Sequence, residues 1–157
     1  MSTINTQKPE QVLDAIGAVL DNMGLSYGKE DDMIMLEVVG KDIPMEFRFS
    51  VNPKKETIVV YSRLPIDVVE EKSEPIVYAI CATNYKILNG CFEYDEERGS
   101  IFFRMTESYR NSEISEEMIR YLIRCSLNTV DDYNDKLLLI SRGLMMLEEY
   151  EKEINFK

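Results

Sequence analysis

Carboxylates are the side chains in this sequence whose spacing is most suggestive of chemistry. Asp131 and Asp135 are four residues apart in a segment with helical periodicity, and Asp132 lies beside the first of them. One face of such a helix could present oxygen ligands of the kind that hold a divalent cation. Charge clusters on long helices are more often solvent-exposed faces. We therefore predict no metal-binding residue, and keep a small-ligand or divalent-metal sensor using these carboxylates as the alternative function.

The sequence offers no other catalytic or cofactor-binding group. It contains no histidine, which excludes serine–histidine and cysteine–histidine catalysis and most zinc sites. Cys81, Cys91 and Cys125 are odd in number and widely separated, so they indicate reduced thiols rather than disulfides or a zinc site. None of the seven glycines has the spacing of a phosphate-binding loop. We expect a protein that is not an enzyme and binds no cofactor.

Length and charge narrow the class of partner. The chain has 157 residues, 45% of them hydrophobic, which predicts one domain over residues 1–157. Its 18 basic and 29 acidic residues give a formal charge of −11, which repels nucleic acid and anionic membranes but suits a protein partner with basic segments. The N-terminus lacks the pattern of a secretory signal, and no apolar run approaches the roughly 20 residues of a membrane span. We expect a cytoplasmic protein.

The elements that must position these residues can be read from periodicity. Apolar residues recur at helical spacing from Pro9 until Gly24, which predicts a first helix. Three strand-like segments follow over 33–39, 45–51 and 57–64. Pro65 should end the third of them, since proline cannot donate a hydrogen bond to a sheet. Short connections make these strands an antiparallel meander.

The second half repeats the pattern with a helix, a hairpin and a helical segment. A second helix is predicted from Ser73 to a glycine stop at Gly90. Two alternating runs, 91–94 and 101–104, flank a polar loop that ends in glycine, as in a β-hairpin. A long helical segment then starts after Ser115. Whether it is one helix or two stays open, because Asp131-Asp132 and Gly143 weaken its interior.

The resulting order is α-β-β-β-α-β-β-α, an α+β fold with a five-stranded antiparallel sheet and helices packed on it. Four methionines are candidates for an adaptable protein-binding surface, because thioethers repack around varied partners: Met33, Met35, Met145 and Met146. Ordinary core packing is the alternative for these residues. One core is predicted to contain Val12, Ile16, Phe47, Phe49, Val60, Ile80, Phe92, Phe102 and Leu122.

This element order, the acidic chain and the phrase NGCFEYDEERGSIFFRM together resemble the YbjN family, bacterial proteins of type III secretion chaperone-like fold that are described as sensory transduction regulators. The resemblance is strongest over 84–133 and includes Thr129-Val130-Asp131-Asp132-Tyr133 on the last helix. It implies a curved sheet with helices on one side, a homodimer, and a role in binding or regulating other proteins. We therefore expect a non-enzymatic protein-binding module, chaperone-like or regulatory, whose client the sequence does not identify.

Overall fold

A computed structural model describes residues 9–155 of the chain. The helices are α1 (Pro9–Asn22), α2 (Ser73–Lys86), α3 (Glu116–Ser141) and α4 (Leu147–Asn155), and a short 3₁₀ turn, Glu70–Lys72, precedes α2. The strands are β1 (Tyr27–Glu30), β2 (Met33–Val39), β3 (Pro44–Asn52), β4 (Thr57–Asp67), β5 (Cys91–Asp95) and β6 (Ser100–Ser108).

The strands form one antiparallel sheet in the order β1-β2-β3-β4-β6-β5. The α+β class is confirmed, but the sheet has six strands within residues 9–155, so the predicted number of five was wrong. The strand that the sequence did not predict is β1. It is four residues long, and only Tyr27 in it is partly buried. It pairs Glu30 with Met33 through the turn residues Asp31 and Asp32, and Asp31 adopts a φ of 46°. Aspartate tolerates this left-handed conformation, which two-residue hairpin turns require.

The alternation of β3 decides which face of the sheet is covered. Met45, Phe47, Phe49 and Val51 are all buried, while the residues between them are exposed or partly exposed. On this side of the sheet α1 packs on β2 and β3, and α3 packs on β4 and β6, so the core lies between the sheet and the helices. Every residue of the predicted core is buried apart from Phe102.

Phe102 was placed on the wrong face. It lies between Ile101 and Phe103, which are both fully buried, and strand geometry therefore turns its own side chain to the opposite face. Its cross-strand neighbours there are Arg63 and Glu93. Three consecutive apolar residues contain no polar residue that would reveal the alternation, so the sequence alone could not assign the face.

Two predicted ends were also wrong. The second helix ends at Lys86 rather than Gly90, because Ile87 is already extended with ψ of 142°. Strand β4 continues through Pro65 to Asp67, and its pairing with β6 is irregular over that stretch.

The open question about the last helical segment has an answer in the turn after α3. Gly143, at φ of 68°, donates its N–H to the carbonyl of Ile140 at 2.9 Å, and the next N–H, of Leu144, bonds to the carbonyl of Leu139 at 2.8 Å. Such bonds and a left-handed glycine are typical of a helix C-terminus. The segment is therefore two helices, and Asp131-Asp132 do not interrupt the first of them.

Candidate functional site

The carboxylates of α3 that could have held a metal are used to fix a turn. Asp131 accepts a 2.8 Å hydrogen bond from the backbone N–H of Lys41, and the Lys41 ammonium lies 3.4 Å from Asp131 and 3.2 Å from Asp132. The hydrogen bonds that the Lys41 ammonium donates to Asp132 and Asp131 raise the pKa of Lys41. Asp135 pairs instead with Lys136 at 3.2 Å. These contacts join the β2–β3 turn to α3, and within residues 9–155 no group of three or more metal-ligating side chains converges.

Met33 and Met35 lie on the face of the sheet on which none of the described helices packs, here called the outer face. Both are partly buried, and the core residues Ile34 and Leu36 alternate with them on the opposite face. The outer face continues across the sheet with three further apolar side chains, all partly exposed. They are Val59, Tyr61 and Phe102.

Arginines and aromatic rings occupy the centre of the outer face. The register sets Met35 opposite Arg48, Arg48 opposite Tyr61, and Tyr61 opposite Arg104. The rings of Tyr61 and Phe102 are in contact, with centroids 5.3 Å apart. Such a mixture of aromatic, arginine and methionine side chains is typical of protein–protein interfaces.

Cys91 lies at the β5 edge of this face and is not activated for chemistry. Its thiol is near the Glu93 carboxylate, at 3.8 Å, and the Arg104 guanidinium, at 3.9 Å. Burial, reinforced by the charge of Glu93, raises the pKa of the Cys91 thiol. Because the thiolate is the nucleophilic form, this environment makes Cys91 a poor nucleophile.

Met145 and Met146 lie in the turn between α3 and α4 and point in different directions. Met145 is 8% exposed and Met146 is 67% exposed. Together they line a mostly apolar pocket of about 340 Å³ between this turn and the start of α2. The pocket walls also include Pro75, Tyr78, Ile140 and Leu147.

A second apolar surface, which the sequence reasoning missed, runs along the solvent side of α2. We call it the helical patch and define it by three exposed residues of α2, Val77, Tyr78 and Tyr85, and by Leu88 two residues beyond the helix. Tyr85 and Leu88 are 87% and 99% exposed. The opposite side of α2 is buried through Ile76, Ala79, Ile80 and Thr83. A helix that is apolar on more than one face indicates a second packing partner. That signal was present in the sequence, because Val77, Tyr78 and Tyr85 lie outside the side of the helix that Ile76, Ala79, Ile80 and Thr83 occupy.

The four Met candidates thus fall into two separate places. Met33 and Met35 belong to the outer face, whereas Met145 and Met146 adjoin the helical patch through Tyr78. In the described part of the chain, no helix is both long and apolar enough to cross a membrane.

Comparison with known proteins identifies the family. Residues 13–139 match the family model YbjN, described as "Putative bacterial sensory transduction regulator". The chain belongs to the YbjN family. A search of curated proteins found no significant match to this YbjN member.

Two solved structures share its fold. One is YbjN from E. coli, described as a putative transcription regulator, with a TM-score of 0.63 and 13% identity over 92% of this chain and 98% of that one. The other is from the ExsC–ExsE complex, with a TM-score of 0.60 and 12% identity over 82% of this chain and 95% of that one. The expected family and type III secretion chaperone-like fold are thereby confirmed.

Proposed function

We propose that this YbjN-family chain is a non-enzymatic protein-binding module with a chaperone-like or regulatory role. The observation that carries the proposal is the helical patch, an exposed apolar surface on a chain whose net charge is −11. Contiguous exposed apolar side chains mark interaction surfaces in proteins that otherwise stay soluble through charge. The family description as a regulator and the similarity to a chain from a complex of two proteins support it.

The helical patch fits a second copy of the same chain. Val77, Tyr78 and Tyr85 lie on one side of α2, because Tyr85 follows them by seven or eight residues, about two helical turns. Leu88 follows just beyond the end of the helix, and an apolar stripe on a helix can pair with its own two-fold copy. Glu74 and Glu148 flank the neighbouring pocket and can remain in solvent at the rim. Burying them unpaired would cost several kcal/mol each, so a rim position is expected. Met145 and Met146 then lie at one end of the interface.

The outer face is the surface proposed for the client protein. Pairing two copies through α2 leaves it free, because α2 packs on the opposite side of the sheet, against β5, α3 and α4. Met33, Met35 and Tyr61 supply apolar area there, and Arg48 and Arg104 supply hydrogen-bond donors. The module is thus a homodimer that presents two copies of one client surface.

Light scattering at micromolar concentration and moderate salt tests the dimer. The wild-type protein should have twice the 18.3 kDa mass of one chain. Leu88→Asp should reduce the measured mass to that of one chain, because Leu88 is 99% exposed and its replacement cannot disturb the core. Val69→Asp is the matched control, since Val69 is also exposed but lies outside the helical patch. A wild-type mass of one chain that does not rise with concentration would refute the dimer.

Affinity capture from the cells that make the protein tests the client surface. Tyr61→Lys should lose proteins that the wild type retains, while light scattering still shows a dimer. Arg120→Ala, on α3 and away from the outer face, should retain them. Retention of the same proteins by wild type and Tyr61→Lys would show that the outer face is not the client surface.

A further inference from the structure

Strands β3 and β4 separate at one end of the outer face. Their pairing runs from Asn52–Thr57 to Arg48–Tyr61 and stops there, although β3 begins four residues earlier, at Pro44, and β4 continues to Asp67. Beyond that point β3 stays paired with β2 as far as Val39–Pro44. The sheet therefore opens between two neighbouring strands in its interior rather than at an edge.

Two prolines explain the opening. If the register of β3 and β4 continued, Pro44 would lie opposite Pro65. Neither residue has a backbone N–H, so this position could not form the pair of hydrogen bonds that closes an antiparallel ladder. Strand β4 is also irregular on its other side, where the register with β6 shifts between Arg63 and Asp67. The opening is thus encoded in the sequence.

The opening forms a cleft of about 550 Å³ with an apolar floor. Met45 and Leu64, which are 5% and 1% exposed, lie at its base. Val39, Pro44 and Pro65 form its rim, and Val39, the last residue of β2, is 89% exposed. A cleft of this size with an apolar base and a few polar groups has the character of a binding site.

The uncompensated charge in the cleft is negative. Glu37 and Glu46 are directly opposite each other on β2 and β3, and like charges in that position destabilise a sheet. Arg48 bonds to Glu46 at 2.8 Å, whereas Glu37 has no ion pair among the described residues. On the other side of the cleft, Arg63 is engaged by Asp67 and by the Ser100 hydroxyl, each at 3.2 Å. A cation from a ligand would relieve the repulsion between the two glutamates.

We infer that the β3–β4 cleft binds an extended segment of a partner protein in which apolar and basic side chains alternate. This inference rests on the proposed function and names the chemistry of its client. The segment would place an apolar side chain over Met45 and Leu64 and a lysine or arginine beside Glu37. Its backbone would hydrogen-bond to strand groups that β3 and β4 no longer exchange with each other. The side-chain period of two in an extended chain matches this alternation of apolar and charged contacts.

Three labelled nine-residue peptides test the inference by fluorescence anisotropy in about 150 mM salt, where weak surface attraction is screened. One alternates valine with lysine, one serine with lysine, and one valine with glutamate. The valine–lysine peptide should bind at least tenfold more tightly than either of the others. Amide chemical shifts of the labelled protein should change mainly in residues 36–48 and 61–66.

Matched variants distinguish binding in the cleft from a general attraction of basic peptides to an acidic protein. Val39→Lys should weaken binding of the valine–lysine peptide at least tenfold, and Glu37→Gln should weaken it severalfold. Val69→Lys makes the same charge change at an exposed valine outside the cleft and should change affinity less than twofold. Equal losses in Val39→Lys and Val69→Lys, or no binding of the valine–lysine peptide at millimolar concentration, would overturn the inference. The proposed function would survive that result if the dimer and its Tyr61-dependent client were still observed.

Discussion

The hydroxyl of Tyr150 on α4 forms a short hydrogen bond with the hydroxyl of Thr83 on α2, and both residues are fully buried. Thr83 donates its own hydrogen to the carbonyl of Ala79 at 2.8 Å, so Tyr150 must be the donor to Thr83. The bond joins two helices whose other faces line the pocket beside the helical patch. The position of Met145 and Met146 therefore depends on a buried polar contact.

Tyr150→Phe should lower the free energy of unfolding by about 1 kcal/mol at neutral pH, the usual value of such a bond. Burial raises the pKa of Tyr150 well above the 10.0 of a free tyrosine. The folded state therefore disfavours the phenolate, so the stability that Tyr150 contributes is full below pH 10.0 and falls as the pH rises above it. Denaturant titrations between about pH 9 and pH 12 should show a shallower alkaline loss in Tyr150→Phe than in wild type. Tyr85→Phe, at an exposed position, should keep the wild-type slope.

Gly90 and Gly24 allow backbone strain to be separated from steric conflict. Both have a left-handed φ, of 77° and 70°. A Cβ on Gly24 would meet nothing within 4 Å, whereas a Cβ on Gly90 would overlap the edge of the Phe103 ring and lie 3.1 Å from the carbonyl oxygen of Arg104. Gly24→Ala should cost roughly 1 to 2 kcal/mol through strain, and Gly90→Ala about 1 to 3 kcal/mol more. Thermal and urea unfolding would measure both, and equal costs would show that the hairpin moves to accommodate the methyl group.

The alternation of polar and apolar residues predicted which face of β3 is buried, but it left the direction of Phe102 in β6 undetermined. In β3, polar residues separate Phe47 from Phe49, so the inward face is fixed by a period of two. In β6, Phe102 has apolar neighbours on both sides and its direction depends on pairing with β4 and β5. Strand β1 carried no apolar alternation, because it is an edge strand held mainly by backbone pairing with β2.

Truncation of the two phenylalanines tests this assignment. Phe49→Ala should cost about 3 to 5 kcal/mol, because the ring is fully buried and its loss leaves a cavity. Phe102→Ala should cost about 1 kcal/mol, chiefly from the lost ring contact with Tyr61. Chemical denaturation gives both values. A cost for Phe49→Ala below about 1 kcal/mol would mean that the register of β3 is shifted by one residue.

The candidate surfaces were harder to predict than the fold. The sequence shows that the side chains of Met33 and Ile34 point to opposite sides of the sheet. It does not show which of these two sides is covered by helices. The β3–β4 cleft depends on two prolines that become opposite only when the register is known. The helical patch depends on how many sides of α2 other elements cover, and α4, whose existence as a separate helix was left open, covers one of them.

Cys81 lies in the middle of the helical patch and gives a direct probe of the proposed dimer. It is exposed, and it is four residues from both Val77 and Tyr85, so all three share one side of α2. In a two-fold pair of antiparallel α2 helices centred on this residue, Tyr85 of each copy would lie near Val77 of the other. The two Cys81 side chains would then meet close to the axis, where a small side chain allows the helices to approach.

Mild oxidation of the dimer should therefore link Cys81 to Cys81 of the second copy, and a non-reducing gel should show a species of twice 18.3 kDa that disappears on reduction. Cys81→Ser should abolish this species while light scattering still gives the dimer mass. Cys91 and Cys125 are only partly exposed, so Cys91→Ser and Cys125→Ser should cross-link as the wild type does. Leu88→Asp should prevent cross-linking through loss of the dimer, with its Cys81 thiol still reactive toward a small maleimide. A dimer that never cross-links through Cys81, although a maleimide labels it freely, would place the interface away from α2.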